Sequence, residues 1–371
     1  MLKNNIPYFD LSRQNALLKQ DMLTAVERVI DNNTYILGPE VESFEERFSK
    51  YLGSQYVIGV NSGTSALHLA TKLLNINPGD EIITTPFTFA ATAWAISYVG
   101  AKPVFVDIED TYFNMNPDNI EAAITDKTKA IIAVHLYGHP CEMDPIMDIC
   151  EKYGLYLIED ASQAHGARYK GQSVGTLGNI GTFSFYPPKN LGACGEAGAL
   201  VTDEEAIAYR ARNLRNHGSS QRYIYDEVGH NYRMDGIQAA LLNVKLAELE
   251  EWNDQRKHAV CLYNHHLSSC EYIHTPEEAP WAESAYHLYT IATSYRNELN
   301  EFLAKEGIGT AIHYPLPLHL QPCYDFLGYE NEDFPVAEKM SDEVLSLPLF
   351  PGITEDEIEH VSNTVIEFFK K

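Results

Sequence analysis

The sequence predicts an α/β protein, with a mostly parallel central sheet in a large domain and a smaller α+β domain at the C-terminal end. Three observations carry this reading. Short apolar runs recur between helix-length segments from Tyr56 to Asp160, which is the rhythm of βαβ units. The run Leu155-Tyr-Leu-Ile-Glu-Asp160 is apolar until it ends in two acids, as a buried parallel strand would be. After Trp252 the alternation weakens, placing a boundary near residue 250: residues 1–250 form the large domain and 251–371 the small one. At 371 residues the chain is too long for one simple core.

The first forty residues read as a lead-in. Gln14 to Asn32 carries Leu17, Leu18, Met22, Ala25, Val26, Val29 and Ile30 at helical spacing, a packing stripe. Thr34 to Gly38 then precedes a second helix, Glu40 to Leu52. Tyr56-Val-Ile-Gly-Val60 is a short strand running into Asn61-Ser-Gly-Thr-Ser-Ala66. Such a strand-to-helix turn offers free N–H groups to an anion at the positive end of the helix, here on Gly63 and Thr64. Taken alone, Ser-Gly-Thr-Ser reads equally well as an ordinary N-cap.

Strand and helix then alternate. The expected order is strand 81–85, helix 90–98, strand 103–107, helix 116–124, strand 130–135, helix 143–153 and the strand ending at Asp160. Pro86-Phe-Thr-Phe89 follows a strand, so its aromatics can reach the sheet's carboxyl edge, where ligands bind in open α/β sheets. His135 and Tyr137 follow a strand too, and His135 is expected to be a buried, satisfied histidine. Beyond Gly198 come a strand, 199–202, a helix, and the basic cluster Arg210, Arg212, Arg215, His217 and Arg222. These residues either bind a diphosphate or pair with acids such as Asp203 to Glu205. A long helix is expected from His230 to about Trp252, and another from Asn253 to Leu267. The C-terminal part has an apolar segment 286–292, a helix from about Asn297 to Gly307, a rigid loop Ile312-His-Tyr-Pro-Leu-Pro-Leu-His319 and a final helix 356–370.

Composition narrows the function. Twenty-seven basic residues against 52 acidic ones give a formal charge of −25, which argues against nucleic acid and anionic membranes as partners. No apolar run has membrane length, and Met1 to Arg13 already contains Asn, Asp and Pro, so a soluble cytoplasmic protein is expected. The six cysteines show neither Cys-x-x-Cys spacing nor a paired histidine pattern, so no zinc site or disulfide framework is expected. No strand is followed by Gly-x-Gly-x-x-Gly, which leaves nicotinamide binding unsupported.

Lys189 stands out in Phe183-Ser-Phe-Tyr-Pro-Pro-Lys-Asn-Leu-Gly192, because no other Lys or Arg lies between Gly171 and Tyr209. A lysine among apolar and small residues loses its proton readily, and a neutral amine condenses with an aldehyde. Asp160, at the end of its strand, supplies a carboxylate about thirty positions earlier. That pair is what pyridoxal phosphate needs: an amine for its aldehyde and an acid for its pyridine nitrogen. Singly, Lys189 could be a solvated loop lysine and Asp160 a helix cap or metal ligand.

Glu159-Asp-Ala-Ser-Gln-Ala-His-Gly166 and Phe183 to Gly192 resemble the two signature blocks of the sugar-nucleotide aminotransferases, which are fold-type I pyridoxal-phosphate enzymes. His230-Asn-Tyr-Arg-Met-Asp-Gly-Ile-Gln-Ala-Ala240 resembles their third block, and the likeness runs from about Ile6 to the last helix. The resemblance implies Lys189 as the catalytic amine and proton carrier. It also implies Asp160 on the ring nitrogen, Gln163 on the ring hydroxyl and Phe89 stacked on the ring. Ser184 would hold the phosphate with Gly63, Thr64 and the partner chain's Asn231, making an obligate homodimer with shared sites. His313, Tyr314 and His319 would contact the sugar nucleotide. Relatives with His in place of the lysine dehydrate sugars instead. The block around Ser184 resembles members that aminate C3, so the expected reaction is glutamate-dependent amination of a dTDP- or UDP-linked 3-keto sugar, forming 2-oxoglutarate. A 4-keto sugar, a non-catalytic nucleotide-sugar binder, and another pyridoxal-phosphate reaction such as a dehydratase or lyase stay open.

Overall fold

The computed structural model describes residues 5–370. At its centre lies a seven-stranded sheet. Five strands, β1 (Tyr56–Val60), β2 (Glu81–Thr84), β3 (Lys102–Phe105), β4 (Thr128–Val134) and β5 (Tyr156–Asp160), are joined by Ile180–Ser184 and Gly198–Thr202. The spatial order is β1, Gly198–Thr202, Ile180–Ser184, β5, β4, β2, β3. Gly198–Thr202 is antiparallel to both neighbours, and the other pairings are parallel.

Side-chain alternation explains why the apolar runs are continuous. Val57, Ile83, Ile131 and Leu157 enter one apolar cluster, whereas Ile58, Ile82, Ile132 and Ile158 enter a second on the opposite face. Each strand is therefore buried on both sides. The first cluster is covered partly by α2 (Pro39–Leu52), through Phe44 and Phe48, which pack against Phe183 and Phe185. The second is covered by α3 (Gly63–Leu73), through Ala66, Leu69 and Ala70. Burying each such aliphatic side chain contributes about 1.5–3 kcal/mol.

A third cluster gathers Tyr263, Leu299, Leu345, Leu347 and Ile358 from α8 (Leu249–Leu267), α9 (Arg296–Lys305), Val344–Leu347 and the last helix, Glu355–Lys370. Tyr289–Ala292 pairs antiparallel with Val344–Leu347 here. Ile6 packs into the same cluster, so the lead-in crosses from the C-terminal cluster toward the sheet.

Two elements differ from the sequence reading. Residues 116–124 form two short 3₁₀ turns, Pro117–Asn119 and Glu121–Ala123, rather than a helix. The Asn116 side chain caps the first turn by accepting from Asp118 N at 3.0 Å, but Ile120 is the only fully buried side chain of the segment, so no apolar face anchors a longer helix. The long helix starts later and breaks sooner. Residues 231–235 are extended, bridging Asn216, Val60 and Ile36; α7 spans Gly236–Leu246, and the break falls at residues 247–248 instead of near Trp252. At that break the buried Lys245 ammonium donates to Gly192 O at 2.8 Å, a bond to the Lys189 loop that sequence periodicity does not contain.

Glu159 and Asp160 occupy successive positions on β5 and face opposite ways. Fully buried Glu159 accepts from the N–H groups of Gly175, Leu177 and Gly178 at 2.7 Å each and meets His135 Nε2 at 3.0 Å. It fixes the loop that leads to Ile180–Ser184. Glu159→Gln puts an amide N–H against a backbone N–H, and the expected cost is about 2–3 kcal/mol. Urea unfolding checks this, and an unchanged midpoint would contradict it.

Candidate active site

The carboxyl ends of β1, β2, β5 and Ile180–Ser184 open onto a cavity of about 600 Å³, within the range of ligand pockets. Its walls come from Ser62 to Thr64 after β1, Thr88 and Phe89 after β2, Asp160 to Gln163 on and after β5, and Ser184 to Lys189. His287, His313, Tyr314 and Leu349 close it from the C-terminal part. The site is thus the crevice that a parallel sheet creates at its carboxyl edge.

Lys189 projects into this cavity from a tight loop. Its N–H donates to Tyr186 O at 2.8 Å, and Ala193 N donates to Phe185 O at 2.8 Å. Gly192 is required there, since a Cβ would lie 2.2 Å from Pro187 O. Burial pushes the ammonium down to about 8, and the Asp160 charge only partly opposes it. A substantial fraction of the amine is therefore neutral near physiological pH.

Asp160 is 5% exposed. One carboxylate oxygen accepts from Thr92 Oγ1 at 2.8 Å and the other from Ser162 N at 3.2 Å. Thr92 sits in the first turn of α4 (Ala91–Tyr98), so a hydroxyl and a helix N-terminus both face the acid. Gln163 spans two elements: its Oε1 accepts from Tyr137 N at 2.8 Å and its Nε2 donates to Tyr314 OH at 3.0 Å. One amide N–H is left for a ligand.

The β1–α3 turn presents backbone N–H groups at the cavity wall. Ser62 caps α3 by accepting from Ser65 N at 3.1 Å, and Ser62 O takes the bond from Ala66 N. The N–H groups of Gly63 and Thr64 precede any intrahelical acceptor. Gly63 packs on Ser184 so closely that a Cβ would lie 2.6 Å from Ser184 Cβ, which brings the Ser184 hydroxyl beside the helix end. Phe89, half exposed, stands on the cavity wall with its ring 6.1 Å from Tyr314, rather than in the core.

Other expected residues fall elsewhere. His319 does not reach the cavity. It is 1% exposed, its Nε2 lies 3.1 Å from Glu338 Oε1, and its ring packs against Phe334; the two prolines turn the loop so that Leu318 and His319 point inward. His313 lines the cavity, with Nδ1 3.1 Å from Ser346 Oγ, and burial lowers it to about 4. Asn231 is exposed and outside its own chain's cavity wall. The basic cluster disperses: Arg210 forms a bidentate pair with Glu227, Arg215 pairs with buried Glu45, and Arg212 lies over Tyr56. None of these arginines lines the cavity.

Thr92, Tyr8 and His287 also belong to the site or its immediate support, and no local motif marks them. They meet the other residues only through the fold. Among the described residues, no group of three or more His, Cys, Asp or Glu side chains is placed to hold a metal ion.

A partly neutral lysine, a fixed carboxylate and a turn presenting backbone N–H groups, all on one sheet edge, fit pyridoxal phosphate and define a pyridoxal-phosphate enzyme of the aminotransferase kind. The chain matches the DegT/DnrJ/EryC1/StrS aminotransferase family over residues 17–366, and it belongs to that family. It is 40% identical over 366 residues to the dTDP-3-amino-3,4,6-trideoxy-alpha-D-glucose transaminase of Streptomyces venezuelae, covering 99% of this chain and 97% of that protein. It is 43% identical over 368 residues to a protein of Geobacillus stearothermophilus named pleiotropic regulatory protein, covering 99% of each. The crystal structure of S. venezuelae DesV superposes with a TM-score of 0.97 at 40% identity, covering 99% of both chains. Pyridoxal phosphate is the cofactor of the protein.

The lowered Lys189 value carries a prediction. In the folded protein the amine is released near pH 8, whereas the unfolded chain holds the proton to the ordinary 10.5. The stability cost of burying the ammonium is therefore full below about pH 8 and fades as pH rises from there to 10.5. Covalent capture of pyridoxal phosphate by cofactor-free protein should rise through a midpoint near pH 8 and then level off. A rate that keeps climbing to pH 10 would show an unperturbed lysine.

Proposed function

We propose that the protein transfers the amino group of L-glutamate to a 3-keto sugar linked to dTDP or UDP, releasing 2-oxoglutarate and an amino sugar nucleotide. The product would serve surface polysaccharide or secondary-metabolite synthesis. The observation that carries this reading is the buried Lys189 amine, its proton weakened by that burial, sharing one cavity with Asp160. A protein that only binds nucleotide sugars has no need of that pair. The 40% identity to a transaminase named for a dTDP-linked 3-amino sugar supports the substrate class. The six free cysteines support a cytoplasmic setting; among the described residues no helix is long and apolar enough to cross a membrane.

Bound pyridoxal phosphate supplies an aldehyde that accepts the amino group and a ring that takes up electron density. The chain's residues do the rest. Asp160, fixed by Thr92 Oγ1 and Ser162 N, would face the ring nitrogen and hold a proton there. Lys189, once its nitrogen is free, removes the proton from the donor's α-carbon and returns one at the sugar carbon, which suits an amine poised near the working pH. Gly63, Thr64 and Ser184 would hold the phosphate, Gln163 would donate to the ring hydroxyl, and Phe89 would lie against the ring. His313 and Tyr314 face the space left for the sugar nucleotide.

We further propose that two copies share their sites, the exposed Asn231 of one reaching the phosphate in the other. Exposed Tyr223, Ile224, Tyr225 and Val228 lie on the same excursion of the chain, an apolar group suited to burial against a second copy. The division near residue 250 into a cofactor-binding and a smaller part is proposed on the same grounds as in the sequence, now with the separate apolar cluster of α8, α9 and the last helix in support.

Two measurements test the proposal. Offered glutamate with dTDP- and UDP-linked 3-keto and 4-keto sugars, the protein should aminate a 3-keto sugar; 2-oxoglutarate formation with none of them would sink the substrate class. Mixed Lys189→Ala and Asn231→Ala chains should recover activity above the sum of the separate variants, because one pocket of the mixed dimer carries neither change. Additive activity, with subunit exchange verified by mass, would place Asn231 in its own chain's site.

A further inference from the structure

The cavity contains a histidine that the chemistry above does not use. His287 is 7% exposed and precedes the strand Tyr289–Ala292. Its Nε2 lies 3.4 Å from Lys189 Nζ, and its Nδ1 lies 3.3 Å from Asn190 Oδ1. The backbone is held on both sides, with His287 N donating to Tyr137 O at 2.8 Å and His287 O accepting from Arg256 Nη1 at 3.1 Å.

The direction of each bond follows from backbone carbonyls, which can only accept. Asn253 Nδ2 donates to His165 O at 2.8 Å, so Asn253 Oδ1 is an acceptor. Asn190 Nδ2 donates to that oxygen at 2.8 Å and to Ala285 O at 2.7 Å. Asn190 Oδ1 must then face His287, and it can only accept. The proton of the imidazole is therefore on Nδ1, leaving a lone pair on Nε2 toward Lys189.

The charge environment keeps the ring in that form. Burial, together with Lys189, Arg256, His313 and His165, lowers His287 well below the ordinary histidine value. No carboxylate is among the groups acting on it, so it stays neutral and acts only as an acceptor toward the lysine.

We propose that His287 is a positioning residue for Lys189: the Asn253–Asn190 chain fixes its tautomer, its Nε2 accepts an N–H from the lysine amine, and the amine's own lone pair is thereby turned into the cavity. A neutral primary amine has two N–H bonds and one lone pair, and rotation about Cε–Nζ exchanges their directions. Pinning one N–H on a fixed acceptor cuts the fraction of orientations in which the lone pair points away from its target. The same contact holds Lys189 near the reacting carbon while its nitrogen is free. The proposal rests on Lys189 being the amine that captures the cofactor.

Two near-isosteric substitutions separate this role from a structural one. His287→Asn keeps an amide N–H where Nδ1 meets Asn190 and removes the acceptor toward Lys189. His287→Gln does the reverse, placing an amide oxygen near the position of Nε2. Cofactor-free proteins are mixed with pyridoxal phosphate, and the rate of capture is measured, in which Nζ forms a C=N bond with the aldehyde carbon and the aldehyde oxygen leaves as water. The bond is trapped with borohydride and located by mass. Affinity for pyridoxamine phosphate, which has no aldehyde, reports whether the pocket is intact.

His287→Asn should bind pyridoxamine phosphate as the native protein does and capture pyridoxal phosphate about five to ten times more slowly, the value of one hydrogen bond. His287→Gln should capture at near the native rate. Native capture by His287→Asn, equal slowing in both variants, or a parallel loss of pyridoxamine phosphate affinity would overturn the proposal. His287→Ala carries the same comparison against Gln if His287→Asn does not fold. An unchanged adduct in Lys189→Ala would instead overturn the assignment of the amine itself.

Discussion

A buried ammonium group with the Asp160 carboxylate beside it is the constraint on which the site depends. Its charge is poorly solvated, so its proton is held weakly, and that weakness is the source of its reactivity. To keep the lysine in that state the loop from Tyr186 to Ala193 has to be rigid. It is closed by two backbone bonds, requires glycine at 192, and is held from behind by the buried Lys245 ammonium on Gly192 O. The carboxylate must be equally fixed, and Asp160 is held at the end of a central strand whose neighbours on both sides are parallel.

The two adjacent acids of β5 divide the work between fold and chemistry. Glu159 is saturated by three backbone donors and His135, and it turns the following loop back toward the sheet. Asp160 accepts only a hydroxyl and one N–H from the protein, leaving its charge available to a ligand. The cavity wall carries Asp160 and Glu196 as well as Lys189, within an overall charge of −25. Lys189, the buried Arg256 held only by backbone carbonyls, and the N-terminus of α3 provide local positive potential.

Much of this was legible in the sequence because it is encoded locally. The apolar runs locate β1, β4 and β5 to within two residues, and the strand-to-helix turn at Gly63 does open on the cavity. The spacing of Asp160 and Lys189 announces an amine and an acid. What escaped is encoded by distance. Thr92 meets Asp160 from 68 positions away, and His287 meets Lys189 from 98; neither sits in a pattern of its own. His319 is expected at the sugar nucleotide only because the family likeness sets its loop there, whereas in this fold it is buried beside Glu338 of the helix Pro335–Glu343. The segment 116–124 has helix-compatible composition, but it buries only Ile120 fully, too little apolar contact to hold more than two short turns.

The central claim is that Asp160 holds a proton on the ring nitrogen while Lys189 supplies the amine. It is tested most directly by the ¹⁵N resonance of the ring nitrogen in labelled pyridoxal phosphate bound to the native protein and to Asp160→Asn at the same pH. The account predicts a protonated nitrogen in the native protein and an unprotonated one in the variant, with Lys189 still able to capture the cofactor. An unprotonated nitrogen in the native protein, or a protonated one in both, would contradict it.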